Sequence, residues 1–343
     1  ALRQSSCGQG GRMRAAVIDA PHSVSIVELD DPVCGPDDVV VAVSYVGFYG
    51  TDLELLHGTS SYLTDGKTSF PHHFGHEWVG VVDRTGSGVR DLEAGDAVTG
   101  STMLFCQSCT ACGSGKRNQC SDLREVGLYE HGGAAAQFLV MPRRAVVSLG
   151  RVTAEPEHVL IEPLVTVLEA VDAASVSPGD RVLVVGAGTI GSLAVAMLSR
   201  YPVTVDILEP RCIEHLGASA VARSFTEADA LTGPYDIVVE ASGGVGALNT
   251  AIGVLRPGGK CILVGVAAHS EAIDPGAVAL AGISIIGIRH GVDHYRRAAA
   301  LFPLIRPALA ALIDSVVPLS DAKTAFDRLE SHRTRPKVVI AVE

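Results

Sequence analysis

The sequence predicts an α/β protein built in two parts, a β-rich region and a doubly wound parallel sheet. Three observations carry that prediction. The 343 residues are too many for one ordinary core. Apolar residues make up 47% and glycines number 37, while aromatics are only 5%, the balance of a Val/Ala/Gly-rich α/β chain. Near residue 175 the pattern changes from short strands between turns to strands alternating with helices.

Residues 1–12, "ALRQSSCGQGGR", are polar and glycine-rich with no apolar centre, and read as a flexible extension ahead of Met13. "RAAVIDA", "VSIVEL", "VVVAVSYVGF", "EWVGVVDRTG" and "DAVTGS" then read as strands, separated by turns such as "GPDD" and "EAGD". "SPGDRVLVVGAGTIGSLAVAML" reads as a buried strand, a tight turn and a helix. "VTVDILEP", "YDIVVEAS", "GKCILVGV" and "ISIIGI" follow as further strands, which implies a parallel, doubly wound sheet. Beyond about residue 291, "HYRRAAALFPLIRPALAALI" is amphipathic and "VVPLSDAKTAFDRLESH" holds a capped helix. The closing "KVVIAV" strand shows no parallel neighbour in the sequence and is expected to return to the first region.

A net charge of −11 without a basic patch argues against a nucleic-acid partner. No apolar run is long enough to span a bilayer, so no membrane partner is expected. Eight cysteines, four of them clustered, point to metal in a reducing compartment, and the expected location is cytoplasmic.

Gly186, Gly188 and Gly191, with Thr189 and Ile190 between the last two, form a G-x-G-x-x-G turn directly after "RVLVV" and before a helix. Such a turn brings a pyrophosphate against backbone N–H groups at a helix N-terminus. Glu209, 18 residues beyond Gly191, stands where a carboxylate accepts from the adenosine ribose, which favours NAD. Asp206 lies inside the strand, away from the ribose. Arg211, two residues past Glu209, could hold a 2′-phosphate, so NADP is the alternative.

Cys106, Cys109, Cys112 and Cys120 have the spacing of a four-thiolate zinc site. Four thiolates leave no open position, so this zinc is structural. Cys7, Cys34, Cys212 and Cys261 are isolated and read as apolar fillers.

Taken in order, "GFYGTD", "GHEWVGVV", the four-cysteine lobe, "EPLVTVLEA" and "VGAGTIG" resemble the landmarks of the zinc-containing medium-chain dehydrogenase/reductases. The resemblance runs from Met13 almost to Glu343, and "YLTDGKTSFPHHFGHEWVG" is nearest the polyol, sugar and aminocyclitol branch. It implies a GroES-like catalytic domain over 13–163 and 291–343, with the zinc lobe at about 104–122, and a Rossmann domain over 164–290. It also implies hydride transfer between a nicotinamide and a secondary alcohol or ketone, and a homodimer or homotetramer.

In that family the catalytic zinc takes a cysteine, the histidine of "GHE" and a carboxylate. By resemblance these are position 49, His76, and Glu77 or Glu162; Thr51 touches the substrate oxygen, Asp52 orients His76, and Glu54 occupies a proton-relay position. Position 49 is a tyrosine. A phenol reaches farther than a thiolate and is neutral at pH 7 unless its anion is stabilised. Either a divalent ion is held by His76, Glu77 and Glu162, or the ring fills the metal's volume. In the second case Tyr49 and Thr51 would serve the reacting oxygen, His76 would act as acid/base, and Glu162 beside Glu77 should have a raised pKa. His72 and His73 are candidate substitute ligands, while His57 and His131 have no assigned role. The expected activity is an NAD(P)-dependent dehydrogenase of a small polar alcohol such as a cyclitol, polyol or sugar. A zinc-free reductase of a conjugated alkene or iminium, and a non-catalytic dinucleotide-binding protein, are the alternatives.

Overall fold

The computed structural model describes residues 11–211, 213–217, 220–331 and 334–342, so Cys7 and Cys212 lie outside it. Two strands, β1 (Arg12–Ala20) and β2 (Ser23–Asp30), form an antiparallel ribbon. Arg12 therefore belongs to a strand and not to the flexible extension. The β-branched run of β3 (Asp38–Phe48) is followed by β4 (Glu77–Thr85) and β5 (Ala97–Gly100). A small sheet of β6 (Met103–Leu104), β7 (Arg124–Val126) and β8 (Glu130–His131) flanks the cysteine lobe, before β9 (Phe138–Pro142) and β10 (Val146–Gly150).

The parallel sheet comprises β11 (Arg181–Val185), β12 (Thr204–Leu208), β13 (Arg223–Phe225), β14 (Tyr235–Glu240), β15 (Leu255–Leu263) and β16 (Ser284–Gly287). Its spatial order is β13-β12-β11-β14-β15-β16. The sheet reverses direction of growth beside β11, where a dinucleotide crevice forms. Central β11 is a continuous apolar run because both faces are covered.

Two strands, β17 (Ile313–Pro318) and β18 (Lys337–Ala341), return to the first sheet, whose order is β10-β5-β4-β3-β18-β17, with β9 also on β3. β18 returns to this sheet and runs antiparallel to β3. It also has a parallel neighbour, β17, which corrects the sequence reading. β17 was hidden because it is a half-exposed edge strand carrying Asp314 and Ser315 and ending in Pro318, a residue that edges tolerate.

The largest apolar cluster joins the two halves. The helix Ile161–Ala174 runs unbroken past position 164, and the helix Tyr295–Ala310 packs against it through Ala298, Phe302 and Ile305. A second cluster holds Phe48, Phe74 and Phe326, whose ring centroids lie 5.1–5.4 Å apart. Phe326 belongs to the helix Ala322–Glu330, and this trio fixes that helix beside the loop after β3. Among the described residues no helix is long and apolar enough to cross a membrane. Replacing the fully buried Phe326 by alanine should cost about 3–5 kcal/mol of stability, read as a lowered unfolding midpoint in urea.

Candidate active site

The glycine turn follows β11. Gly186 has φ +95°, and a side chain there would meet Ser242; one at Gly191 would collide with the Gly186 carbonyl. Gly188 has open space around its Cα. The glycines thus serve the turn, the helix packing and an unobstructed approach, in the roles read from the motif. Thr189 opens the helix Thr189–Leu198. A cavity of about 240 Å³ runs over this turn, lined by Gly188, Thr189, Glu209 and Arg211, and by Tyr49 and Arg335 from the other half.

Glu209 lies just beyond β12 and is buried. Its Oε2 accepts from Ala187 N–H at 2.7 Å and from Arg211 Nη2 at 3.0 Å, and its Oε1 from Arg211 N and Nε at 3.0 and 2.8 Å. A carboxylate offers about four lone-pair positions, so a ribose hydroxyl reaches Glu209 only by displacing Arg211. Asp206 stays inside β12, held by Arg181, Arg223 and the Tyr235 hydroxyl.

The four clustered thiols converge. Cys106 Sγ and Cys112 Sγ are 4.0 Å apart, and Cys109 Sγ and Cys120 Sγ 3.8 Å. Zinc–sulfur bonds of about 2.3 Å at tetrahedral angles require edges of about 3.8 Å, so the set fits one Zn²⁺. Cys261 is buried in an apolar cluster on β15, as read, whereas Cys34 is half-buried and its thiol faces the Asp38 carbonyl at 3.5 Å.

A second cavity, about 230 Å³, lies in the cleft between the halves. Tyr49, Thr51, His76, Glu77 and Glu162 line it from one side, Ile190, Val264, Val266 and Ile288 from the other. Among the described residues, one atom each of His76, Glu77 and Glu162 come within 4.8 Å of one another, all three residues buried. His76 Nδ1 faces Asp52 Oδ1 at 3.7 Å, and Asp52 in turn accepts from Tyr49 N–H at 3.0 Å, capping the helix Gly50–His57. This leaves His76 Nε2 for the cavity, the arrangement of a carboxylate-oriented metal histidine. The donor set of one imidazole and two carboxylates fits a divalent ion, with a phenol where a thiolate would complete it.

Lys337 is fully buried; its ammonium pairs with Glu77 and donates to the Phe48 carbonyl at 2.9 Å. Burial raises the Glu77 pKa, with Lys337 and His76 opposing. Burial alone would lower His76, but Asp52, Glu162 and Glu77 outweigh it and raise the imidazole to about 9. Tyr49 is pushed to about 12 by burial, then by Glu77, Glu162 and Glu54, so its phenol stays protonated.

Glu162 corrects the sequence reading. Burial would raise its pKa, but His290 Nε2 at 3.1 Å, then His76 and Thr102 Oγ1 at 2.9 Å, bring it down to about 2. The expectation failed because His290 lies 128 residues away and nothing local announces the pair. Tyr295 and Thr102, which complete that network, were missed for the same reason. Lys337 had a visible signal: a lone cation opening an apolar strand. Glu54 lines neither cavity. His72 is spent on Thr68 Oγ1 and the Gly127 carbonyl, His57 bonds Glu330, His131 bonds the Gly132 carbonyl, and none of these nor His73 lines the reaction cavity.

A glycine-turn crevice and a neighbouring cavity bearing ionisable groups, which share Tyr49 between a parallel sheet and a zinc-fitted β half, are the layout of a nicotinamide-dependent oxidoreductase. Residues 35–151 match the alcohol dehydrogenase GroES-like domain and 156–342 the glucose dehydrogenase C-terminus. The Neosartorya fischeri protein named "Probable D-xylulose reductase A" is 30% identical over 352 residues, spanning 95% of this chain and 96% of that one. A cobalt- and zinc-bound thermostable alcohol dehydrogenase from Pyrobaculum aerophilum superposes with TM-score 0.84 at 27% identity, over 96% of this chain and 100% of that one. A dehydrogenase from Sinorhizobium meliloti bound to NADP has the same fold, with TM-score 0.88 at 24% identity over 96% and 99%. The chain belongs to the zinc-containing medium-chain dehydrogenase/reductase family, and it is an NAD(P)-dependent enzyme.

Two of these shifted groups, His76 and Glu162, give the metal-free site a defined pH window. The folded pKa of His76 is above its unfolded value near 6.5, so its contribution is full below pH 6.5 and is lost as pH rises through about 9. Glu162 is shifted the other way, so its contribution is present above pH 4.5 and is lost as pH falls through about 2. Urea midpoints from pH 3 to 10, of protein carrying no more than the zinc held by the thiols, should therefore decline at both ends.

Proposed function

We propose that this chain interconverts a small polar secondary alcohol and its ketone, of the cyclitol, polyol or sugar type, with NAD as the first cofactor candidate and NADP as the second. The observation that carries the reading is the single cavity where Tyr49, Thr51, His76, Glu77 and Glu162 face the apolar wall of the parallel sheet. The D-xylulose reductase relative supports the substrate class. Cys106, Cys109, Cys112 and Cys120 are assigned to a structural zinc. The catalytic part is assigned to 13–163 and 291–343 and the dinucleotide part to 164–290, in a cytoplasmic homodimer or homotetramer.

In the oxidative direction the carbinol carbon gives a hydride to nicotinamide C4 and its hydroxyl loses a proton. In reduction the same carbon receives the hydride and the carbonyl oxygen takes a proton. A divalent ion held by His76, Glu77 and Glu162 would act as a Lewis acid on that oxygen. The protein's own groups are arranged as donors. Where no ion is held there, Tyr49 is a neutral phenol and His76 a cation at neutral pH, so both can polarise a carbonyl and supply its proton. Thr51 offers a hydroxyl that both accepts and donates, suited to handing the proton on. Lys337 offsets Glu77, which reduces the negative charge a carbonyl oxygen would meet.

Elemental analysis of purified protein is expected to give about one zinc per chain, held by the thiols. Tyr49→Cys is expected to raise it towards two; an unchanged value in the variant would remove position 49 from the metal site. Tyr49→Phe is expected to lower kcat for ketone reduction about 100-fold with little change in cofactor KM, measured by nicotinamide absorbance.

A further inference from the structure

The β-rich sheet ends at β10, which has only β5 beside it among the described residues. Val146, Val147, Ser148 and Leu149 all line a cavity of about 670 Å³ between β10 and the helix Tyr295–Ala310. Successive side chains of a strand point to opposite faces, so a space touching all four residues borders the strand's edge. Ser101 N–H donates to the Ala145 carbonyl at 2.7 Å, and Val146 lies opposite Gly100. The alternation of an antiparallel ladder then turns the backbone groups of Val146 and Ser148 away from β5. Those of Val146 are used: its N–H donates to the Arg143 carbonyl, and its carbonyl accepts from Arg143 Nη1 at 2.7 Å. Those of Ser148, an exposed residue, have no partner among the described residues.

The charged lining of this groove is basic. Arg143, Arg296 and Arg306 meet one carboxylate, Asp91, which Arg143 holds through Nε at 2.7 Å and Nη2 at 2.5 Å. Arg306 gives Nε to Glu157 at 2.8 Å and keeps both Nη groups. Arg296 is exposed and has no hydrogen bond or ion pair among the described residues. Arg296 and Arg306 stand about 15 Å apart along the helix. Val147, Leu149, Ala299 and Phe302 make the rest of the lining largely apolar.

We propose that this groove takes an extended acidic peptide as an added strand, its backbone paired with Ser148 and its carboxylates with Arg296 and Arg306. Backbone pairing supplies affinity whatever the side chains, and the guanidiniums select their sign. Two glutamates five positions apart in an extended chain lie about 17 Å apart, which matches the spacing of the arginines. On a chain of net charge −11 a cationic groove is a local departure. A second copy meeting the first through this face would set arginine against arginine. Residues 1–10 hold Arg3 and no carboxylate side chain, so this segment does not match the groove either. The occupant is therefore an acidic segment of another protein.

Isothermal titration of the zinc-loaded 343-residue chain with acetyl-Glu-Val-Thr-Val-Thr-Glu-amide tests the site. The expected result is saturable one-to-one binding, weakened at least about tenfold when both glutamates are replaced by lysine. Arg296→Glu should weaken the acidic peptide by a similar factor while keeping the wild-type urea midpoint, since the side chain is exposed; Arg296→Gln, the milder change, should weaken it about threefold. Methylating the backbone nitrogens of the two central peptide residues removes the donor to the Ser148 carbonyl in either register and should cost at least about fivefold. Hydrogen exchange at the Ser148 amide should slow when the unmethylated peptide binds. No saturation below about 1 mM, equal binding of the lysine peptide, or full affinity of the methylated one would each overturn the added strand.

Discussion

A single buried ammonium holds the reaction centre together. Lys337 Nζ bridges the Glu77 carboxylate at the start of β4 and the Phe48 carbonyl at the end of β3, and it stands 5.8 Å from the Tyr49 ring. A buried charge without a partner is strongly unfavourable, so each group requires the other. The requirement extends to the backbone: a side chain on Gly47 would collide with both the carboxylate and the lysine stem. The loop bearing Tyr49, the strand bearing His76 and Glu77, and the closing strand β18 are thereby fixed relative to one another.

The rest of the centre follows from charge balance around that pin. Asp52, Glu162 and Glu77, all buried, keep a proton on His76, while burial, then Glu77, Glu162 and Glu54, keep one on the Tyr49 phenol. Glu162 stays ionised because His290, Thr102 and His76 surround it with donors. The pocket around Tyr49 is therefore not inert. Its titratable groups differ in protonation, and such differences separate acid from base roles in carbonyl chemistry.

Much of this was legible in the sequence because it is local. The glycine turn, the cysteine spacing and the strand runs of β1–β5, β11, β12 and β14–β16 each announce themselves within a short window, and the family resemblance points to His76, Glu77, Glu162, Thr51 and Asp52. What escaped was long-range. The Glu162–His290 pair spans 128 residues and Lys337–Glu77 spans 260 positions of chain, so no periodicity connects them. β17 escaped for a different reason: an edge strand half open to water need not look apolar. The part of Arg211 in neutralising Glu209 was readable only as proximity in sequence, since which lone pairs it fills is a matter of side-chain geometry.

The late position of β18 bears on how the enzyme comes into being. The Rossmann sheet, β11 to β16, is complete by Gly287 and could form while synthesis continues. The β-rich half cannot close until Lys337–Ala341 have left the ribosome, because β18 lies between β3 and β17 and brings the lysine with it. Until then Glu77 has no ammonium beside it and β3 exposes an unpaired edge. The nascent chain thus passes through an interval in which its nucleotide half is assembled but its reaction centre is not.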